Sequence, residues 1–423
     1  MSNHQSNKEN NTDGNTMKPM NSNHSPKQQI VNGWKKRWVF IRLWCDIAIT
    51  IWRKKRNIRA VIADIQVLMS VRNDMTHQNT FPKLAFVDGK YFMSSNMNGW
   101  PSKHFHRTID IEIRSRKQEK MSRLEQLRGV QIAFTKKCPL NCEHCYEGDI
   151  LNLKDTLTLD DHRKILQKIQ QVGISIIQFG GGDPMAKVDD IVSLLEGAEK
   201  TADFWMYTSG YKFNEKNAFR LKKAGLTGVS LGLDHYEREK HNAFRRNDKA
   251  YDWVLEGAEA AKKAKLVLTL TVCVTREFCS ETHLMNYMLL AKELGASFVQ
   301  LLEPRAEGNY AGKDVMLSLD ELQLIHEFFI KINNEKAFED FPIILYNGFI
   351  QRKAGCPGAG SRFIFIDTDG NMNACPFCRN SKVPFLSLDH ESGLQQISKE
   401  GCDLVQSLIN DPAPKEVEKE LVD

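Results

Sequence analysis

From about residue 130 to about residue 303, short apolar runs alternate with amphipathic stretches, and this alternation constrains the fold of the 423-residue chain more than any other feature. Apolar runs at 130–135, 174–180, 203–208, 227–233, 267–275 and 298–303 predict strands. Helical patterns at 159–172, 188–200, 214–224, 250–265 and 281–295 lie between them. Strand–helix alternation builds right-handed βαβ units around a parallel sheet. Six strands are too few to close an eight-stranded barrel. The expectation over 130–310 is therefore an α/β core, a partial (β/α)6 TIM-like barrel or an open sheet.

Residues 1–30 are rich in Asn, Ser, Gln and Lys and nearly lack large apolar side chains, which predicts a disordered tail. Residues 31–75 form a basic amphipathic helical segment. Within it, the run 38–52 carries only Arg42, Asp46 and Thr50 as polar residues, a narrow polar stripe beside a wide apolar face. Lys35, Lys36 and Arg37 flank one end, and Arg53, Lys54, Lys55 and Arg56 the other. One reading of 34–58 is a helix lying in a membrane interface with Trp and basic anchors. The other is a helix docked on the protein's own core. The segment is too short and too charged to span a bilayer.

Residues 81–129 read as a small β-meander and linker. Runs at 83–87 and 90–94 alternate around Asp88-Gly89, a hairpin signal, and 106–113 is expected as a third strand. Residues 116–129 look helical. Past the core come a helical connection (311–345), an irregular cysteine-bearing region (346–410) and a charged tail (411–423).

Lys+Arg is 58 and Asp+Glu is 53, and the small excess lies before residue 60, so bulk charge does not point to nucleic acid. The amino terminus lacks the apolar core of a secretory signal, which implies a cytoplasmic protein; residues 34–58 are a candidate for peripheral contact with the inner membrane. Six of the ten cysteines fall in two tight groups, as metal or cluster ligands do in a reducing compartment.

The first group, Cys138, Cys142 and Cys145, has the spacing C-x3-C-x2-C directly after the first core strand. A structural zinc site wants four ligands, and no fourth lies nearby. Three thiolates can hold three irons of a [4Fe–4S] cube and leave one iron open. With His144 before its last cysteine, this loop resembles that of the radical S-adenosylmethionine (SAM) superfamily.

That resemblance implies SAM on the open iron, with His144 and Tyr146 near the adenine. Gly181, Gly182, Asp183 and Pro184 after the second strand resemble the family's Gly-Gly-Glu-Pro motif, which binds the SAM amino group; Asp stands here for Glu. Thr208 and Ser209, after the third strand, resemble its Thr-Asn-Gly. Ser230 and Asp234 match its fourth-strand motif, in which Gly232 replaces a serine. Arg245 would pair with the SAM carboxylate. All these groups follow strand ends on the carboxyl side, the ligand face of α/β barrels.

In the second group, Cys356, Gly370 and Cys375 fit C-x13-G-x4-C, and Cys378 adds C-x2-C. This resembles the start of a SPASM domain in its shortened twitch form, which implies an auxiliary [4Fe–4S] cluster on Cys356, Cys375 and Cys378, with Cys402 a candidate fourth ligand. A zinc site on the same cysteines is the alternative. Cys45, Cys273 and Cys279 read as core or surface residues, and Arg305 and Glu307 as candidate substrate contacts.

The resemblance implies reductive cleavage of SAM to a 5′-deoxyadenosyl radical that takes hydrogen from a substrate, with a peptide or protein favoured. It also implies an external electron donor such as flavodoxin or ferredoxin. Oxidation of a small metabolite, a lipid-linked substrate at the membrane surface, and a zinc-stabilised non-catalytic binding protein are the alternatives.

Overall fold

The computed structural model describes residues 29–76, 83–356, 358, 362–379, 381–387 and 390–400. Residues 1–28, the tail expected over 411–423 and Cys402 lie outside the described residues.

The core repeats strand and helix: β4 (Gly129–Thr135), α5 (Leu159–Val172), β5 (Ile176–Gly181), α6 (Val188–Glu196), β6 (Asp203–Thr208), α7 (Glu215–Ala224) and β7 (Leu226–Gly232). Then follow α8 (Arg238–Arg245), α9 (Ala250–Lys263), β8 (Val267–Cys273), α10 (Glu281–Glu293), β9 (Phe298–Leu302), α11 (Leu319–Asn334), β10 (Ile343–Tyr346) and α12 (Asn347–Ala354). Strands β4 to β10 are all parallel, each beside the next, and the sheet does not close.

The helices form where the sequence both caps them and gives them one apolar face. In α5, Thr158 and Asp161 make a reciprocal capping box, and Ile165, Leu166 and Ile169 turn inward. Ile165 and Ile169 are fully buried in the continuous core between sheet and helices. Each such side chain contributes about 2 kcal/mol by leaving water.

A seventh parallel strand, β10, lies in the stretch expected as a helical connection. Its four residues are all buried, and so short an apolar run shows no period by which to tell strand from helix. The cysteine-bearing region also continues the sheet. After β11 (Phe363–Ile366), which pairs parallel with β4, come β12 (Asn371–Asn373) and β13 (Val383–Pro384), both antiparallel, and α13 (His390–Glu400).

The amino-terminal extension closes the opposite end of the barrel. It comprises β1 (Gln29–Val31), α1 (Gly33–Lys55), α2 (Ile58–Met75), β2 (Leu84–Val87), β3 (Lys90–Phe92), α3 (Lys103–Arg116) and the single turn α4 (Arg123–Gln126). The β2–β3 hairpin at Asp88-Gly89 is as expected. The third strand is not: 106–113 lies inside α3, and β1 fills that place, antiparallel to β2. Alternation in IDIEI suggests a strand, but Phe105, Thr108, Ile111 and Glu112 bury a helical face and the Ser102 side chain caps Phe105 N–H (3.1 Å). Residues 29–30, expected in a disordered tail, are therefore ordered, and 116–129 holds only one helical turn.

One face of the β1–β3 sheet, with Ala85, Val87 and Phe92, packs on the amino-terminal ends of the core strands at Ile176, Val267, Phe298 and Ile343. The other face packs with α1, α2 and α3. Asp203, at the start of β6, pins the layers together. Its carboxylate accepts from Gly99 N–H (2.9 Å) and Asn98 Nδ2 (3.1 Å) and lies 3.2 Å from His104 Nε2 and 3.4 Å from Lys90 Nζ. Helix α1 docks Val39, Leu43, Ile47 and Ile51 on this core. No described helix is long and apolar enough to cross a membrane.

Candidate active site

The site starts where β4 ends. The Asp155 carboxylate accepts from Thr135 Oγ1 (2.9 Å) and Lys136 N–H (2.7 Å) and pairs with Lys187 (2.7 Å), which fixes the base of the cysteine loop. Asn152 accepts from Cys138 N–H and donates to the Cys138 carbonyl, both at 3.1 Å. From the far side, Asn309 donates Nδ2–H to the Cys142 carbonyl (2.8 Å) and its backbone N–H to the Cys145 carbonyl (2.9 Å). Gly308 approaches so closely that a Cβ there would strike the Cys145 carbonyl oxygen.

So held, Cys138, Cys142 and Cys145 gather in one cluster with Leu140, Ala250 and Trp253, Cys142 buried and the other two partly so. Burial pushes all three thiols up, Cys145 to about 12. A cation opposes this at Cys142, whose sulfur lies 3.7 Å from Arg245 Nη1. Among the described residues, no three His, Cys, Asp or Glu side chains are arranged to hold a metal ion. Grouped, largely buried thiols ionise readily only beside strong positive charge, which a bound metal cluster would supply.

The Gly-Gly-Asp-Pro turn is laced to this loop. Gly182 N–H bonds the Thr135 carbonyl (2.7 Å) and Asp183 N–H the Lys137 carbonyl (2.8 Å). At Gly181 (φ 108°) a Cβ would come within 2.9 Å of the Thr135 oxygen, and at Gly182 it would strike the Lys137 oxygen. The Asp183 carboxylate is fully engaged by this protein. It accepts from Met185 N–H (3.0 Å), Thr208 Oγ1 (2.7 Å), Ser209 N–H (3.0 Å) and Ser209 Oγ (2.5 Å). Thus Asp183, Thr208 and Ser209 bind one another across the ends of β5 and β6, and Pro184 is buried at the following turn. What the turn presents to a ligand is backbone.

Asp234 follows β7 and meets Arg245 from α8 at 2.5 Å; its other oxygen accepts from Cys273 N–H (3.1 Å). The guanidinium lies over Gly232, where any Cβ would collide with it. The space a side chain would take at position 232 belongs to Arg245. Ser230 is tied to Thr271 Oγ1 at 2.5 Å. His144 stacks on Phe244 (4.9 Å between centroids, 25° between planes), and its Nδ1 is buried without a partner. Burial holds its pKa near 4, so the ring is neutral at pH 7. A stacked ring pair with an unpaired ring nitrogen, beside a buried arginine, suits a nucleoside carrying an amino-acid tail.

The second cysteine group lies next to the first. Tyr146 packs edge-on against Phe377 (5.7 Å), and Arg379 donates to the Tyr146 carbonyl (2.5 Å) and pairs with Glu147 (2.9 Å). Cys356 and Cys375 sense one another and Arg305 electrostatically, and burial raises both thiols. Cys378 N–H bonds the Cys375 carbonyl (3.2 Å), and the Cys378 sulfur is in a disulfide. Arg305 pairs with Glu303 (3.2 Å), which Arg352 also meets (2.8 Å), and Glu307 N–H bonds the Arg305 carbonyl (2.8 Å).

Sequence reasoning missed Asn152, Asp155, Asn309 and Arg379, which hold the loop, and Glu303 and Arg352. None belongs to a spaced pattern; Asn309 and Arg379 act on the loop from far along the chain.

Residues 132–281 match the profile of the radical SAM superfamily. That segment is a radical SAM domain. Radical SAM proteins are enzymes that use a [4Fe–4S] cluster and SAM. Among curated relatives, a GTP 3',8-cyclase 2 of Pseudomonas aeruginosa is 24% identical over 276 residues, covering 63% of this chain and 80% of that one. An AdoMet-dependent heme synthase of Methanosarcina barkeri is 24% identical over 273 residues, covering 59% and 77%. Streptococcus suis SuiB, solved bound to S-adenosylmethionine and bound to precursor peptide SuiA, shares the fold. Both structures give a TM-score of 0.51 at 14% identity, covering 75% and 74% of this chain and 73% and 71% of SuiB. The likeness in fold thus reaches well beyond the radical SAM core.

Proposed function

We propose that Cys138, Cys142 and Cys145 hold the [4Fe–4S] cluster, that SAM occupies its open iron, and that the substrate is a peptide or protein. Cys138, Cys142 and Cys145 would hold the cluster, which would supply the one-electron reduction that breaks a carbon–sulfur bond of SAM and so permits hydrogen abstraction from the substrate. The observation that carries this reading is the one cluster that gathers the three thiols, with Cys142 buried and Arg245 held 3.7 Å from its sulfur.

The chain's own residues bind and orient. Arg245, aimed by Asp234, is the cation for the SAM carboxylate. The Gly181–Gly182 backbone receives the amino group. His144 and Tyr146 line the base. Leu140, Ala250 and Trp253 exclude water. Asp183, Thr208, Ser209 and Ser230 act through position, since their polar atoms are already used.

Cys356, Cys375 and Cys378, the last once its disulfide is reduced, are assigned to an auxiliary cluster, with Cys402 as the candidate fourth ligand. An external donor such as flavodoxin or ferredoxin supplies the electron. The peptide reading is supported by the fold shared with SuiB, which binds a precursor peptide. A second reading, a small anionic metabolite, is favoured by Arg305 and Arg352 facing the one Glu303 carboxylate, with Arg305 Nη1 buried and unpartnered.

Anaerobic reconstitution tests the proposal. Wild type should bind about eight irons and convert SAM to 5′-deoxyadenosine under a strong reductant. Cys142→Ala should abolish that conversion, and Cys356→Ala should keep it while losing about four irons. Zinc without iron, or 5′-deoxyadenosine formation that survives Cys142→Ala, overturns the reading.

A further inference from the structure

Helix α1 is apolar on two opposite faces. Val39, Leu43, Ile47 and Ile51 are buried on the extension's core. On the other side Trp34, Trp38, Ile41, Cys45, Ile49 and Trp52 are exposed, Trp34 and Trp38 to 69% and 60%. Their spacing of four, three, four, four and three residues keeps them on one stripe, about 27 Å long at the helical rise. Helix α2 adds Ile58, Ile62 and Met69, also exposed and on one side of that helix. Eight of the thirteen large exposed apolar side chains of the described residues lie on these two helices. A solvated helix pair gains nothing from three exposed tryptophans.

Charge identifies what covers the stripe. Residues 33–59 contain nine Lys and Arg against one acidic residue, a net +8 in a chain whose total is +5. Lys35, Arg37, Arg53, Lys54, Arg56 and Arg59 are exposed around the stripe's two ends. A second copy of this surface would bring like charge against like, which costs affinity. An anionic bilayer offers the complement, an apolar layer for the tryptophans under a negative surface for the bases. The helix cannot go deeper, because its other face is part of the protein's core.

We propose that α1 and the start of α2 dock this enzyme flat on an anionic lipid surface. The docking face lies beyond the β1–β3 sheet, which plugs the amino-terminal end of the barrel, whereas the cysteine loop is at the carboxyl end. Docking therefore leaves the active-site mouth facing away from the lipid, open to a water-borne substrate. Lipid docking does not depend on the chemistry assigned to the cysteine loop.

Flotation of the full chain with vesicles tests it. Phosphatidylcholine vesicles containing phosphatidylglycerol should carry the protein up the gradient, and pure phosphatidylcholine should not. Brominated lipid should quench tryptophan emission. Lys35→Glu with Arg37→Glu, and separately Trp34→Ser with Trp38→Ser, should each weaken retention by roughly tenfold or more, with the circular-dichroism spectrum and SAM cleavage unchanged. No retention of the intact protein overturns the proposal. So does retention that ignores both pairs of substitutions, or a lipid-free dimer, detected by light scattering, that the tryptophan changes dissolve.

Discussion

Arg379 and Glu147 form an ion pair at 2.9 Å across more than two hundred residues of sequence, and Arg379 also bonds the Tyr146 carbonyl directly after the cysteine loop. Glu147 is 1% exposed and Arg379 21%. The turn bearing Cys375 and Cys378 is thereby bolted to the loop bearing Cys138, Cys142 and Cys145. Removing the arginine strands a buried carboxylate. Arg379→Ala is expected to cost about 3 kcal/mol, read as a fall in thermal midpoint, and Arg379→Ala with Glu147→Gln should recover part of it. If the double variant is no more stable than the single, the pair is not what holds the two segments.

Gly232 lies beneath the Arg245 guanidinium. Gly232→Ser, although it restores the family's residue, is expected to displace that group, which pairs with Asp234 at 2.5 Å. Misplacement of a positioning cation is expected to slow 5′-deoxyadenosine formation by on the order of a hundredfold, with iron content unchanged. Unchanged turnover would show that Arg245 does not orient SAM.

Asn309 clamps the carbonyls of Cys142 and Cys145 without contacting sulfur. Asn309→Ala should leave the fold intact and raise the rate at which a chelator strips iron from the reconstituted protein by about tenfold. Equal stripping rates would confine the clamp to loop shape.

Burial works against the Asp203 carboxylate, but the hydrogen bond and charge of His104, the charge of Lys90 and the Gly99 N–H outweigh it and hold its pKa near 2. A carboxyl depressed from its ordinary value of about 3.9 contributes stability above that value and loses it as pH falls towards 2. The thermal midpoint of wild type should exceed that of Asp203→Asn near neutrality by an amount equivalent to about 2 kcal/mol, and the gap should shrink below about pH 4. A gap that is constant with pH would contradict this.

The sequence alone was enough for the alternating core, for the cysteine triplet at the end of its first strand and for the glycine-bearing turns after the next ones. Period and spacing are local, and they survive in one dimension. The alternation IDIEI at 109–113 misled because it mimics a strand, while the helical face of α3 is visible only against α1 and α2. The choice between core and membrane for 34–58 likewise had no sequence answer. The structure shows α1 carrying one apolar face for the core and another left exposed.

The side-chain roles belonged to tertiary structure. Asp183 reads from the chain as a carboxylate offered to a ligand, and the fold surrounds it with four donors of its own. Gly232 reads as a missing hydroxyl, and the fold fills its space with Arg245. Which cysteines, turns and strands exist follows from neighbours in sequence. Which polar atoms remain free for chemistry depends on groups brought together from distant segments, and only packing decides that.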